Sequence, residues 1–178
     1  LLKGIHSLDV GIAEILAGDL DAAAARLRRG HELLVEMGDV GVRSTLDALL
    51  ADVEFRLGRL DDAAWLAEQS RLISAVDDLD AQPRWRASLA RVLASRGEQA
   101  DAERLVREAV VLAEPTDFLP LKAELQDVLG EVLALGGNTA EATAAAERAI
   151  SLHEQKGNVV SAKRSRAVLH ELRATGPS

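Results

Sequence analysis

The feature that most constrains the fold is a short phrase that recurs along the chain at a nearly constant interval. Each copy begins with glycine and continues with an acidic residue and alanine, as in GDLDAAA, GRLDDAA, GEQADAE and GNTAEAT. The four glycines lie 40, 39 and 40 residues apart, at Gly18, Gly58, Gly97 and Gly137. A period of this size is typical of a repeat array rather than of an enzyme core.

Three further columns hold only small side chains when the phrases are aligned on their glycines. Five residues after the glycine stand Ala23, Ala63, Ala102 and Ala142. Twelve residues after it stand Gly30, Ser70, Ala109 and Ala149, and seven residues before it stand Gly11, Ala51, Ala90 and Gly130. Because antiparallel helices approach closely only where side chains are small, these columns predict helix crossings. The turn glycine is predicted to end the first helix of each pair in a left-handed conformation.

The same alignment predicts one repeat domain over residues 1–178, made of helical hairpins. The hairpins are expected at about residues 3–36, 41–76, 82–114 and 118–156. A ninth helix at about residues 159–173 carries four basic residues and is expected to cap the stack. The predicted fold class is all-α, a right-handed α-α superhelix of four hairpins and a capping helix.

Composition agrees with close-packed helices and narrows the classes of partner. The chain has 48% hydrophobic residues but only 2% aromatic residues, a balance that favours helices over β-sandwiches. The net charge of −8 argues against direct nucleic-acid binding. The sequence contains no cysteine and no long apolar run, so we expect a cytoplasmic protein without disulfides or a membrane anchor. The start, LLKGIHSLDV, lacks methionine and a signal-peptide pattern, which indicates a fragment of a longer chain.

The columns of small residues resemble the tetratricopeptide repeat, and the resemblance covers essentially the whole chain. In the first hairpin it is carried by Gly11, Gly18, Ala23 and Gly30, and the other hairpins have the equivalent set. The chain departs from the usual pattern in its period, which is nearer 40 than 34. Polar residues also stand where aromatic residues are usual early in the first helix, at Ser7, Asp47, Arg86 and Gln126. These departures indicate a long-repeat variant.

The final third is similar to the carboxy-terminal repeats of large bacterial signalling proteins. The segments EPTDFLPLKAEL and EQKGNVVSAKRSRAVL carry this likeness. In such proteins a nucleotide cyclase or DNA-binding domain precedes a signal-transduction ATPase and then the repeats. The resemblance implies a regulatory arm that receives a partner or holds the ATPase in check.

No arrangement of residues in the sequence predicts catalysis, a cofactor or a metal site. His31, His153 and His170 are each followed by glutamate, but none has a second histidine four residues on, so the helical zinc motif is missing. We expect solvated or half-buried structural roles for them. The sequence has neither a Walker phosphate loop nor a Gly-x-Ser-x-Gly elbow. Any ATPase or cyclase activity is therefore expected in upstream domains, and this chain is predicted not to be an enzyme.

The best candidate surface is the concave side that stacked first helices would present to a charged peptide. Its predicted residues are Asp52, Phe55, Arg56, Arg84, Arg91, Glu124, Asp127 and Glu131. The alternative is that these are ordinary solubilising charges on exposed helix faces.

The first helix carries a second candidate surface, because it is apolar on two sides. Ile5, Leu8, Ile12 and Ile15 form an outward stripe, while Val10 and Ala13 are expected to face the partner helix. We expect an upstream repeat or a second copy of the chain to cover the stripe. A strictly monomeric mass in solution with the stripe open to water would contradict the dimer.

Three functions remain open at this point. The chain could be an interaction or autoregulatory module that binds a protein, a peptide or an upstream domain of the same chain. It could be a small-molecule sensor of a transcriptional regulator, which would show ligand-dependent thermal stabilisation. It could also be a homo-oligomerisation module, here a homodimer.

Overall fold

The computed structural model describes residues 2–175, and this part of the chain forms nine α-helices and no strand. The all-α expectation is confirmed. The helices are α1 (Leu2–Ala17), α2 (Leu20–Glu36), α3 (Gly41–Arg56), α4 (Leu60–Ile73), α5 (Ala81–Ser95), α6 (Gln99–Ala113), α7 (Leu119–Leu135), α8 (Thr139–Lys156) and α9 (Val159–Thr175).

The turn inside each hairpin is built by the recurring glycine, as predicted. Gly18, Gly58, Gly97 and Gly137 have φ angles of 84°, 77°, 82° and 79°. A side chain would be strained in this left-handed conformation, whereas glycine adopts it readily. In the first hairpin the next residue, Asp19, caps α2 by accepting a hydrogen bond of 3.1 Å from the Ala22 backbone N–H. The phrase is therefore a helix stop followed by a helix start.

The columns of small residues lie at the helix crossings. The alanines Ala23, Ala63, Ala102 and Ala142 are completely buried, and the two other columns are also buried throughout. Within these columns the closest approach is at Gly11, where a Cβ atom would lie 2.6 Å from Leu27 Cδ2. Because no side-chain atom can occupy that space without displacing the leucine, the first hairpin closes more tightly than alanine would allow.

Successive hairpins stack so that the first helices form an inner layer and the second helices an outer one. Each second helix packs on the following first helix, and α3, α5 and α7 also pack against one another in turn. The apolar core lies between the layers, and Leu89 on α5 packs against both of its halves. The chain is thus a helical repeat superhelix whose concave side is made by first helices.

Polar side chains replace the expected aromatic residues between repeats and make specific contacts there. Asp47 is fully buried, and its Oδ1 lies 2.6 Å from His31 Nδ1 on α2. Arg86 lies 4.2 Å from the centre of the Trp85 ring and donates from Nε to Glu108 on α6 at 3.3 Å. Hydrogen bonds and charge thus join helices at positions where a ring would otherwise fill space.

We predict that Ala102→Leu destabilises the fold. Ala102 has no exposed surface at its crossing, so the larger side chain overpacks the hairpin and lowers the free energy of unfolding by roughly 1–3 kcal/mol. Urea denaturation measures the change. Ala100→Leu, at an exposed position of the same helix, is the matched control and should change stability little. An unchanged midpoint for Ala102→Leu would contradict the assigned crossing.

Candidate functional site

A continuous groove runs along the concave side of the superhelix, and we call it the concave groove. It is lined by α1, α3, α5, α7 and α9, with one wall completed by α8. The lining includes seven of the eight residues predicted from the sequence, namely Asp52, Arg56, Arg84, Arg91, Glu124, Asp127 and Glu131. The eighth, Phe55, supports the groove from beside it, because the centre of its ring lies 5.7 Å from the Arg91 guanidinium carbon.

The centre of the groove is crossed by a line of ion pairs that joins three successive hairpins. Arg91 on α5 holds Glu131 on α7 with two hydrogen bonds, of 2.6 Å from Nε and 2.9 Å from Nη2. The same guanidinium donates from Nη1 to Asp52 on α3. Asp52 is also paired with Arg56 at 2.7 Å. We call Arg56, Asp52, Arg91 and Glu131 the central ladder.

A second line of ion pairs runs nearer the start of the first helices. Arg84 on α5 donates to Asp80 at 2.7 Å and to Glu124 on α7 at 2.8 Å. The centre of the Phe118 ring lies 5.8 Å from its guanidinium carbon. Burial by itself would lower the pKa of Arg84, but the negative charges of Glu124 and Asp80 reverse the effect and raise it.

The electrostatics of the central ladder favour the charged forms of Asp52 and Arg91. Burial alone would raise the pKa of the Asp52 carboxyl, but the positive charges of Arg56 and Arg91 outweigh it, and the pKa lies below its ordinary value. Burial likewise disfavours the charged form of Arg91, yet Glu131 and Asp52 raise its pKa. Both shifts favour the charged forms of Asp52 and Arg91, so the ion pair between them is maintained despite its burial.

Two of the predicted groove residues are more enclosed than the sequence analysis expected. Arg84 is only 9% exposed and Arg91 only 7%. The reading of these two as solvated surface charges is wrong. Two acids pair with each guanidinium, Asp80 and Glu124 with Arg84 and Asp52 and Glu131 with Arg91, and an aromatic ring lies near each. These partners make the burial possible.

Asp127 joins the groove to the last two helices. Its Oδ2 lies 2.8 Å from His153 Nε2 on α8, and its Oδ1 accepts a hydrogen bond of 2.6 Å from Ser165 Oγ on α9. His153 is buried, so its predicted structural role is retained but in the interior rather than at a half-buried position. These bonds fix α9 against the groove.

Helix α9 contributes groove residues that the sequence analysis missed. It was predicted only as a cap, yet Ser161, Arg164 and Ser165 line the groove. The repeat period contains the missed signal, because Arg164 lies 40 residues after Glu124, which lies 40 residues after Arg84. The inward column of the repeats therefore continues into α9.

The predicted interface stripe on α1 is partly occupied within the chain. Leu8, Ile12 and Ile15 pack against the core of the first two hairpins, and Ile5 is half-buried. Ala13 is exposed and does not face the partner helix, because glycine and serine make that contact instead. Covering of the stripe by a second copy stays a prediction.

Neither a metal-ligand cluster nor a membrane-spanning helix is present in the described range. Residues 2–175 contain no group of three or more His, Asp or Glu side chains placed to hold a metal ion. Within that range no helix is both long and apolar enough to cross a membrane.

Comparison with known proteins identifies the fold. No family model matches the chain, and no curated protein matches it. Among solved structures, it is similar to a Rap protein complexed with Competence and Sporulation Factor, with a TM-score of 0.80 and 16% identity over 97% of this chain and 48% of that one. The chain therefore spans about half the length of that protein.

Two further structures share the architecture at lower similarity. BtubC from P. vanneervenii matches with a TM-score of 0.58 and 19% identity, over 94% of this chain and 80% of that one. The nearly identical TPR-like repeats attributed to a kinesin light chain of Podosopora anserina match at 0.59 and 15%, over 95% and 89%. At these identities the likeness shows the fold alone, a tetratricopeptide-like superhelix.

We predict that Asp52→Asn flattens the acid side of the stability profile. Because the pKa of Asp52 is lowered in the folded state, the unfolded chain binds this proton more tightly. The carboxylate thus contributes stability that is present above its ordinary pKa and lost as the pH falls through the depressed value. Urea denaturation between about pH 5 and about pH 2 should show a steeper loss for the wild type than for the variant.

The matched control for this experiment is Asp61→Asn. The Asp61 side chain is 99% exposed and pairs with Arg96 on the surface, so its loss should leave the wild-type slope in place. An Asp52→Asn variant that also kept the wild-type slope would show that the central ladder does not stabilise the folded state.

Proposed function

We propose that the chain is a protein-interaction module whose concave groove binds a peptide or an extended segment of a partner protein. The observation that carries the proposal is the groove itself, in which five helices present charged and apolar side chains to one continuous surface. Grooves of this kind accommodate a chain along their length rather than a small molecule at one point.

The central ladder supports binding by holding the groove in one shape. Arg91 is fixed to α3 and α7 at the same time, by Asp52 and Glu131. Side chains that are already ordered lose little further conformational entropy when a ligand arrives. The remaining hydrogen-bonding capacity of Glu124 and Glu131, whose side chains are partly exposed, is available to backbone N–H groups of a bound segment.

Fold neighbours and the sequence resemblance give this proposal its context. The Rap protein of similar fold was solved with a bound factor, so a superhelix of this shape is compatible with ligand binding. We further propose that the module regulates a larger cytoplasmic signalling protein, on the basis of the likeness of its final third to repeats that follow a signal-transduction ATPase. The partner is then another protein or a domain of the same chain.

Charge reversal of Arg84 or Arg91 is a poor test of this function. Both guanidinium groups are buried and paired, and removing one partner of a buried pair costs about 3–5 kcal/mol of stability. Lost binding would then be indistinguishable from lost folding. A useful variant must obstruct the groove and leave the ion pairs intact.

We predict that Ser161→Trp abolishes peptide binding without unfolding the chain. Ser161 is half-buried at the α9 wall of the groove, so an indole there fills the space that a ligand needs. The measurement is the selection of phage-displayed random peptides against immobilised wild type and variant. The peptides have about twelve residues, because twelve extended residues span about 40 Å and can lie along the groove.

The matched control is Ala167→Trp, which adds the same ring to an exposed position of the same helix outside the groove. The proposal expects specific peptides to be retained by the wild type and by Ala167→Trp but not by Ser161→Trp. Absence of specific peptides with the wild type, or equal retention by Ser161→Trp, would refute groove binding.

A further inference from the structure

One cation in the concave groove has no partner. The Arg164 side chain is exposed and, within residues 2–175, its guanidinium makes no ion pair or hydrogen bond. Every other charged side chain that lines the groove is paired, from Asp52 on α3 to Asp127 on α7. The α9 end of the groove therefore carries the one lining guanidinium that has no carboxylate partner among the described residues.

The missing acid follows from the repeat geometry. Arg84, Glu124 and Arg164 occupy the same column on successive inner helices, at intervals of 40 residues. Glu124 already accepts a hydrogen bond from Arg84 at 2.8 Å and is not paired with Arg164. A carboxylate supplied by a ligand would continue the alternation of charge that the column begins.

The opposite end of the groove is apolar. Ile15 and Leu16 on α1 and Leu49 on α3 line it, and the Leu16 side chain is left exposed. The groove thus runs from an apolar end, through the self-neutralised central ladder, to the unpaired guanidinium of Arg164 on α9. A ligand that lies along it meets a different chemistry at each end.

We infer that the groove takes an acidic peptide, with a carboxylate bound to Arg164 and a large apolar side chain against Ile15 and Leu16. The inference rests on the proposed peptide-binding function and specifies its ligand. A guanidinium binds a carboxylate through two parallel hydrogen bonds, which also fixes the ligand's direction. The carboxylate is that of an aspartate, a glutamate or a chain terminus.

The length of the ligand follows from helix spacing. Packed helices lie about 8–10 Å apart, so four spacings from α1 to α9 give a path of at most about 40 Å. An extended chain rises about 3.3 Å per residue, so about twelve residues reach from one end to the other. A nucleic acid is a poor fit because its phosphates need several cations, whereas the groove offers one unpaired guanidinium.

The test compares peptides selected by the wild type, Arg164→Glu and Lys163→Glu. Lys163 is also exposed and without an ion pair in the described range, but it lies about 100° away around the helix and does not line the groove. The two variants therefore change the net charge equally and differ only in the groove. The probe is the phage library of random peptides of about twelve residues.

The expected result is enrichment of acidic residues near one end of peptides selected by the wild type and by Lys163→Glu. Arg164→Glu should lose that enrichment or select basic residues instead. For one selected peptide, made synthetically, changing its acid to the corresponding amide should weaken binding to the wild type at least about tenfold, measured by fluorescence anisotropy. The same change should not weaken binding to Arg164→Glu, because it removes a repulsion between two carboxylates there.

The possible failures separate this inference from the proposed function. Two outcomes would overturn the inference and leave groove binding in place. In the first, the peptides need an open groove but are not enriched in acidic residues. In the second, Arg164→Glu selects peptides with the same acidic enrichment as the wild type. If none of the selected peptides loses binding to the Ser161→Trp variant, both the inference and the proposed function are overturned. Circular dichroism and thermal unfolding confirm that each variant is folded, and Arg164→Gln replaces Arg164→Glu if the charge reversal disturbs α9.

Discussion

The close approach of paired helices is the constraint on which the rest of the structure depends. It requires a residue without bulk at each crossing, and alanine or glycine fills that place in every hairpin, with Ala23 and Gly11 in the first. The larger side chains around each crossing, such as Leu27, then fill the space between layers. Because the crossings recur every 39 or 40 residues, the hairpins stack in register and their inner helices line up. The concave groove is a consequence of this register.

The alignment of inner helices explains why charged residues can be buried in the groove. Residues one repeat apart face each other across neighbouring helices, so an acid and a base in the same column meet, as Arg91 and Glu131 do. Burial of such a pair is a modest source of stability, because desolvation offsets most of the attraction. The pair instead specifies how the neighbouring helices are placed, because the N–H donors of each guanidinium are satisfied only when the correct acids face them.

The repeat pattern predicted the helices, the glycine turns and the buried columns because those features depend on neighbours close in sequence or one hairpin apart. The inward positions of α3, α5 and α7 are also predictable from the repeat pattern, and on that basis the sequence predicts Asp52 and Arg91 as groove residues. The burial of Arg91 is not predictable from the sequence, because it depends on side chains from three helices that meet at one place. The groove role of α9 was missed because its basic composition indicated a cap, although Arg164 keeps the repeat interval. Amino-acid composition is a property of the whole helix, whereas the repeat interval shows which residues of the helix face the groove.

The bridge made by Arg91 changes how the array comes apart. In a repeat protein held only by contacts between adjacent units, helical pairs fray independently from the two ends. Here a single guanidinium links α3 and α7 through the helix that lies between them. Both ion pairs depend on the same side chain, so loosening of the third hairpin breaks its charged contacts with the second and with the fourth at the same time.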